Sequence, residues 1–315
     1  MTEAVESRIE RVRREKRERL LGQFVDRTAE MALFQQVLDG DDLPVMVVTA
    51  ASGMGKSALL MRMVHECALR HLPHAELEWT SIDVLDYVTT LRRLRDALGV
   101  DAFAAFTDLV NYYTDASYQP RLAVNVTLQG GPISVAAGAE ISGSSVGDIT
   151  GVVLRDNNFY IQRSDIPVPD ELRRERLTQH FLQGLLASSA GSRVVLFFNA
   201  TEKMSELTYT WLWGQLLKPV VDGALPNVRA VLLGQRPPPG HDELGDMADL
   251  LALAELQPLG RPDIERYIAK RAEGILDLGG ETIRQLAALL ISMNRTRPAD
   301  VAAALDGYLG QQPRP

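Results

Sequence analysis

The chain has 315 residues, 46% of them hydrophobic, and a formal net charge of -8 at pH 7, so it can bury one large core or two modest ones. The acidic balance argues against a dedicated nucleic-acid-binding surface, and a lone Cys67 excludes an internal disulfide framework and a cysteine zinc site. With a charged N-terminus and no run of about 18 apolar residues, neither a signal peptide nor a membrane span is expected, and the default location is cytoplasmic.

Residues 3–21 carry seven Arg/Lys and five Glu around a thin apolar stripe of Val5, Ile9, Val12, Leu20 and Leu21. This is the composition of a charged N-terminal helix over residues 1–21, either solvated or pairing with another helix. Phe24-Val25-Asp26-Arg27 then leads into a helix to about Leu38, with Asp26 or Thr28 as its N-cap.

Leu43 to Met63 joins a strand, a glycine-bearing turn and a helix start in one segment. Val45, Met46, Val47 and Val48 are a continuous apolar run, as in a strand buried on both faces of a parallel sheet. The turn that follows, Ala50-Ala51-Ser52-Gly53-Met54-Gly55, has two residues without Cβ, so successive N–H groups can fold around an anion. Lys56 then offers an ammonium to the β/γ-phosphates and Ser57 a hydroxyl to Mg²⁺, while Ala58 opens a helix whose N-terminus faces the same anion. The segment follows the pattern G-x-x-x-x-G-K-[ST] with Ala50 in the first glycine place. Arginine outnumbers lysine 28 to 5 in the chain, yet this position holds lysine.

A second strand is expected over 75–82, with helices over 84–98 and 101–113. His65, His71 and His74 lie nearby without a zinc-ligand spacing. Residues 119–163 change character: short β-branched runs are punctuated by glycine, serine and asparagine, with no charge between Arg121 and Glu140. They read as two to four short strands in an inserted β element, or as a glycine-rich loop. A helix over 169–189 precedes an all-apolar strand, 192–198, which runs into Asn199-Ala200-Thr201-Glu202. An amphipathic aromatic-rich stretch (205–221) and a third apolar strand (228–233) follow, the latter ending in Gly234-Gln235-Arg236. After a proline-rich loop come a short strand near 251 and a helix opening at Pro262. Helices near 281–292 and 298–308 flank Asn294-Arg295-Thr296-Arg297-Pro298.

Several of these segments resemble STAND-type NTPases, relatives of the AAA+ ATPases: Phe24-Val25-Asp26-Arg27…Glu30-Met31, the phosphate loop, the strand ending in Asn199…Glu202, and Pro298 between the last helices. The resemblance covers residues 20–120 and 165–310 and implies an α/β P-loop core with a parallel sheet over 22–259, interrupted by the β-rich insertion that composition marks at 119–163, and a C-terminal helical lid over 260–315. It implies ATP and Mg²⁺ as cofactors. Phe24, Val25 and Arg27 would lie beside the adenine, as would Pro298; Ala50, Ser52, Gly53, Met54, Gly55, Lys56, Ser57 and Ala58 would hold phosphate. Ser57 and Asn199 would face the metal, Glu202 would be the candidate base, and Arg236 a γ-phosphate sensor or an ordinary surface arginine. Asn199 stands where the family has Asp, keeping an acceptor oxygen and losing the charge, so ATP binding ranks above turnover. The function implied is an ATP-dependent switch that recruits a protein partner or copies of itself in signalling or defence. A silent nucleotide-binding scaffold and a nucleic-acid-linked ATPase of loader or initiator type are the alternatives.

Overall fold

The computed structural model describes residues 18, 21–22, 24–25, 27–79, 86–114, 125–128, 131–134, 169–273 and 278–310. Its elements in chain order are α1 (Thr28–Asp39), β1 (Val45–Thr49), α2 (Lys56–Leu69), β2 (His74–Glu78), α3 (Tyr87–Leu98), α4 (Ala104–Thr114), β3 (Asn125–Leu128), β4 (Gly131–Ser134), α5 (Asp170–Ser188) and β5 (Val194–Asn199). They continue with α6 (Glu206–Trp211), a π-helical turn (Leu212–Leu217), α7 (Lys218–Val221), β6 (Val228–Gly234), α8 (His241–Leu244), β7 (Leu251–Glu255), α9 (Arg261–Ala272), α10 (Gly280–Ser292) and α11 (Pro298–Gly310).

The chain divides into two compact units, Met1–Gly99 with Leu185–Pro315, and Val100–Gly184. The first unit is built on a five-stranded sheet in the order β2-β5-β6-β1-β7, with every neighbouring pair parallel. Every residue of β5 and β6 is buried, as their mainly apolar runs, interrupted by Arg229 in β6 and ended by Asn199 in β5, suit central strands covered on both faces. β2 alternates buried and exposed residues along its length, which suits its place at the edge. β6 lies between the P-loop strand β1 and the Asn199 strand β5, and β1 pairs with β6 and β7.

Helix α2 packs over β5 and β6, and Leu59, Leu60 and Met63 join Phe197, Val195 and Val231 in the principal core. Because α2 returns antiparallel to the strands, its first residues stand over the carboxyl ends of β5 and β6. At the opposite end of the sheet, Arg229 of β6 is 1% exposed. Its guanidinium donates to the carbonyls of Val37 and Gly40 at 2.8 and 2.7 Å and pairs with Asp41 at 3.0 Å. Arg193 joins it on the Leu38 carbonyl and on Asp41. Two cations thus satisfy the last carbonyls of α1, where the helix dipole is negative.

The lid has its own core. Ile264 and Ile268 of α9, Ala287 and Leu290 of α10, and Val301 and Leu305 of α11 pack together with Leu259. In the second unit Phe181 of α5 stacks on Phe103 and meets Phe106 edge-on, with centroids 5.0 and 5.5 Å apart. Asn125–Leu128 and Gly131–Ser134 form an antiparallel hairpin within the expected 119–163 insertion; the rest of that stretch, and the charged segment before residue 18, lie outside the described residues. No helix among the described residues is long and apolar enough to cross a membrane.

Candidate nucleotide-binding site

The phosphate loop leaves β1 at Ala50, whose N–H donates to the carbonyl of Gly234 at the end of β6 (3.0 Å). Gly53 and Gly55 adopt φ +82° and +93°, a region closed to most residues with a Cβ. Gly55 therefore ends the turn as the N-cap of α2, and Lys56 is the first helical residue. The Lys56 Nζ folds back over the loop and donates to the carbonyls of Ala50 (2.6 Å) and Ala51 (3.1 Å). Burial pulls this ammonium below the ordinary lysine range, and the nearby charge of Glu202 opposes that shift. Ser57, Ala58 and Ser52 occupy the mouth of the same loop; Ser57 and Ser52 are exposed and Met54 is buried.

Two segments distant in sequence grip this loop. Arg27, itself at φ 69°, donates from its buried guanidinium to the Met54 carbonyl at 3.0 Å and meets Glu30 at 3.5 Å. A left-handed residue stands before α1, and it is Arg27. From the lid side, the Ala299 N–H donates to the Gly53 carbonyl at 3.1 Å. A Cβ on Gly53 would lie 3.0 Å from the Ala299 Cβ, and one on Gly55 would lie 3.5 Å from Pro298 Cγ. The absent side chains thus let the first turn of α11 sit directly on the loop. A further tie runs from Lys270 Nζ of α9 to the Phe24 carbonyl, 2.7 Å; the Phe24 side chain packs on the principal core, and Val25 beside it is half-buried.

At the end of β5 the Asn199 amide is held at both its oxygen and its nitrogen. Its Oδ1 accepts from the Ala200 N–H (3.0 Å) and its Nδ2 donates to Glu78 Oε1 (3.3 Å). Ala200 takes φ 60°, an unusual conformation for alanine that turns the chain sharply away from the sheet. Glu202 then lies against the end of β6, accepting from the Gln235 N–H at 3.0 Å and from the Gln235 side-chain amide at 3.2 Å. Gly234 has no room for a side chain, since a Cβ there would fall 2.0 Å from Thr201 Oγ1.

Arg236 is directed elsewhere. Its guanidinium pairs with Glu206 at 2.9 Å and lies over the Tyr209 ring, 3.7 Å from the centroid. Tyr209 in turn donates its hydroxyl to the Pro237 carbonyl. Arg297 pairs with Asp300 on the lid surface at 2.7 Å.

The strand ends, α2 and the lid therefore bring together Gly53, Gly55, Lys56, Ser57, Arg27 and Pro298, with Glu202 within electrostatic reach of Lys56. Sequence reading did not single out Glu78, Gln235 or Ala299. Glu78 ends an alternating strand and Ala299 is a small residue beside a proline; only the register and the lid packing reveal them. A Mg²⁺ ion would find hard oxygen donors here, the Ser57 hydroxyl and the carboxylates of Glu202 and Glu78, the ligand type it prefers. Among the described residues, no group of three or more His, Cys, Asp and Glu could hold a metal ion.

A glycine turn between a buried parallel strand and a helix, with lysine at the helix start, sits at the carboxyl edge of an α/β sheet. The fold is that of a P-loop NTPase core. No protein-family model matches the chain, and no curated protein matches it significantly. Among solved structures it is similar to Cdc6p from Pyrobaculum aerophilum, with 11% identity and a TM-score of 0.46 over 91% of this chain and 65% of that one. It thus spans less than two thirds of that protein. It is also similar to domain III of the Thermotoga maritima replication initiation protein DnaA, with 12% identity and a TM-score of 0.44 over 93% and 90% of the two chains. The HORMA:CdnC:Trip13 complex of E. coli MS115-1 gives 10% identity and a TM-score of 0.37 over 98% and 92%.

Proposed function

We propose that the chain binds ATP with Mg²⁺ at the Gly53–Ser57 loop and acts as a nucleotide-dependent switch of the STAND/AAA+ kind. The observation that carries this reading is the seat of α11 on the phosphate loop, through Ala299 N–H and Pro298. A lid held by the backbone of the loop itself responds to whatever the loop binds, and differential affinity for ATP and ADP would bias the lid between positions. Bound Mg²⁺ would neutralise charge on the β- and γ-phosphates. Lys56 would bind phosphate, Arg27 would hold the loop through Met54, and Glu202 would orient water near the Lys56 end. Arg236, paired with Glu206, would reach a γ-phosphate only by leaving that pair. The output is contact with a protein partner or another copy of the chain.

A second reading, nucleotide held without turnover, is favoured by the neutral Asn199 side chain. A nucleic-acid-linked ATPase uses the same loop and lid, and the acidic net charge is all that weighs against it. Single-turnover hydrolysis with and without DNA separates the three. Slow turnover indifferent to DNA supports the switch, tight binding with no turnover supports the scaffold, and DNA-stimulated turnover replaces the switch with the third.

A further inference from the structure

The end of β5 carries an amide where a phosphate-loop site calls for a carboxylate, and the carboxylate stands one strand away. In the parallel register Glu78 is the direct partner of Asn199, as Glu76 is of Phe197. Paired residues of neighbouring strands share a face, and this face is fixed by Phe197, which packs with Leu59, Leu60 and Met63 of α2. The His74 ring, on the same side of β2, meets Phe197 edge-on at 6.5 Å. Asn199 and Glu78 therefore share the α2 face at the carboxyl ends of their strands, where α2 begins at Lys56 and Ser57.

The orientation of the Asn199 amide is decided by its neighbours. Only an acceptor can satisfy the Ala200 N–H, so Oδ1 takes that place and Nδ2 must face Glu78. An aspartate at 199 would set two carboxylates side by side and lose the amide donor that Glu78 accepts from. The pair is thus matched to carry a single negative charge. Gln235 ties Glu202 to the end of β6 through both its oxygens, which suits it to orienting water near Lys56 rather than to supplying the charge beside Asn199.

We propose that Glu78 supplies the carboxylate charge of the Mg²⁺ end of the nucleotide site, in exchange for the neutral Asn199 on the neighbouring strand. This rests on the ATP-binding reading above. It also turns the amide at 199 from a sign of a disabled site into half of a relocated one.

The test is equilibrium binding of a fluorescent ATP analogue to the full chain, with Mg²⁺ and with EDTA. The variants are Glu78→Gln, Asn199→Asp and the double variant, with thermal melting of each. Glu78→Gln keeps an acceptor for Asn199 Nδ2 and removes only the charge. It should lose the Mg²⁺-dependent gain in affinity, about tenfold by the usual effect of outer carboxylates at metal sites, and bind as the wild type in EDTA. Asn199→Asp alone should give no improvement. The double variant, with the charge returned to 199 and an amide at 78, should recover the gain and melt near the wild type. An undiminished Mg²⁺ gain in Glu78→Gln would overturn the exchange. If that variant does not fold, loss of the gain in a folded double variant does the same. Wild-type chain that binds no nucleotide in either condition, or binding that survives Lys56→Ala, would instead remove the ATP-binding reading itself.

Discussion

Lys56 shows how one position combines two demands. It starts a helix, where the free N–H groups already favour an anion, and burial lowers its own affinity for the proton. A bound phosphate would raise that affinity again. The lysine's contribution to binding is then complete below the pKa of the free site and is lost as pH rises past it toward the higher value of the complex. ATP affinity should accordingly begin to fall on the alkaline side before the ordinary lysine range, a decline that Lys56→Arg should shift to higher pH. Titration of a fluorescent ATP analogue against pH reads this directly, and a flat profile would contradict it. Lys56 and the two glycines were legible in sequence because their roles are local: a turn needing positive φ and a helix start one residue later. Glu78 was not, because its role depends on pairing with a residue 121 positions away. Arg27 was named from the sequence as a neighbour of the adenine, but its left-handed backbone and its hold on the Met54 carbonyl, 27 positions away, were not legible there.

At the scale of elements, the apolar runs of β1, β5 and β6 announce buried parallel strands, while their order does not follow from composition. That β6 lies between β1 and β5 is set by which crossovers pack helices on each face. The amphipathic aromatic-rich stretch forms α6, a π-helical turn and α7; the extra residue per turn lets Leu212, Trp213, Leu216 and Leu217 all be buried. Arg229 shows what the sequence pattern conceals: a charged residue in an otherwise apolar strand is the tie between β6 and the end of α1. Replacing it by methionine would leave the Val37 and Gly40 carbonyls and Asp41 without this donor. We expect Arg229→Met to cost about 2 kcal/mol, the range for buried acceptors left unpaired, and to lower the thermal midpoint by several degrees in calorimetry. A midpoint equal to the wild type would show that Arg193 and water can take its place.

For the whole molecule, the first turn of α11 sits on the phosphate loop, tied by the Ala299 N–H to the Gly53 carbonyl. Pro298 was expected against the adenine and lies beside Gly55 of the phosphate loop, while the bond from Ala299 to Gly53 is a backbone contact that no side-chain pattern encodes. Gly53→Ala would add a Cβ at a strained φ and 3.0 Å from Ala299. We expect it to displace the lid, at a cost of roughly 1–2 kcal/mol for the left-handed alanine, and to expose α11 to limited proteolysis in the absence of nucleotide. An unchanged cleavage pattern would mean that the lid is held by its other contacts, such as Lys270 on the Phe24 carbonyl. The most direct test of the central claim is equilibrium binding of Mg-ATP to the full chain beside Lys56→Ala, with calorimetric proof that both are folded. The account predicts saturable binding by the wild type and a loss of about a hundredfold or more, some 3 kcal/mol of charge-assisted contact, in the variant. No binding by the wild type, or equal binding by both, would contradict it.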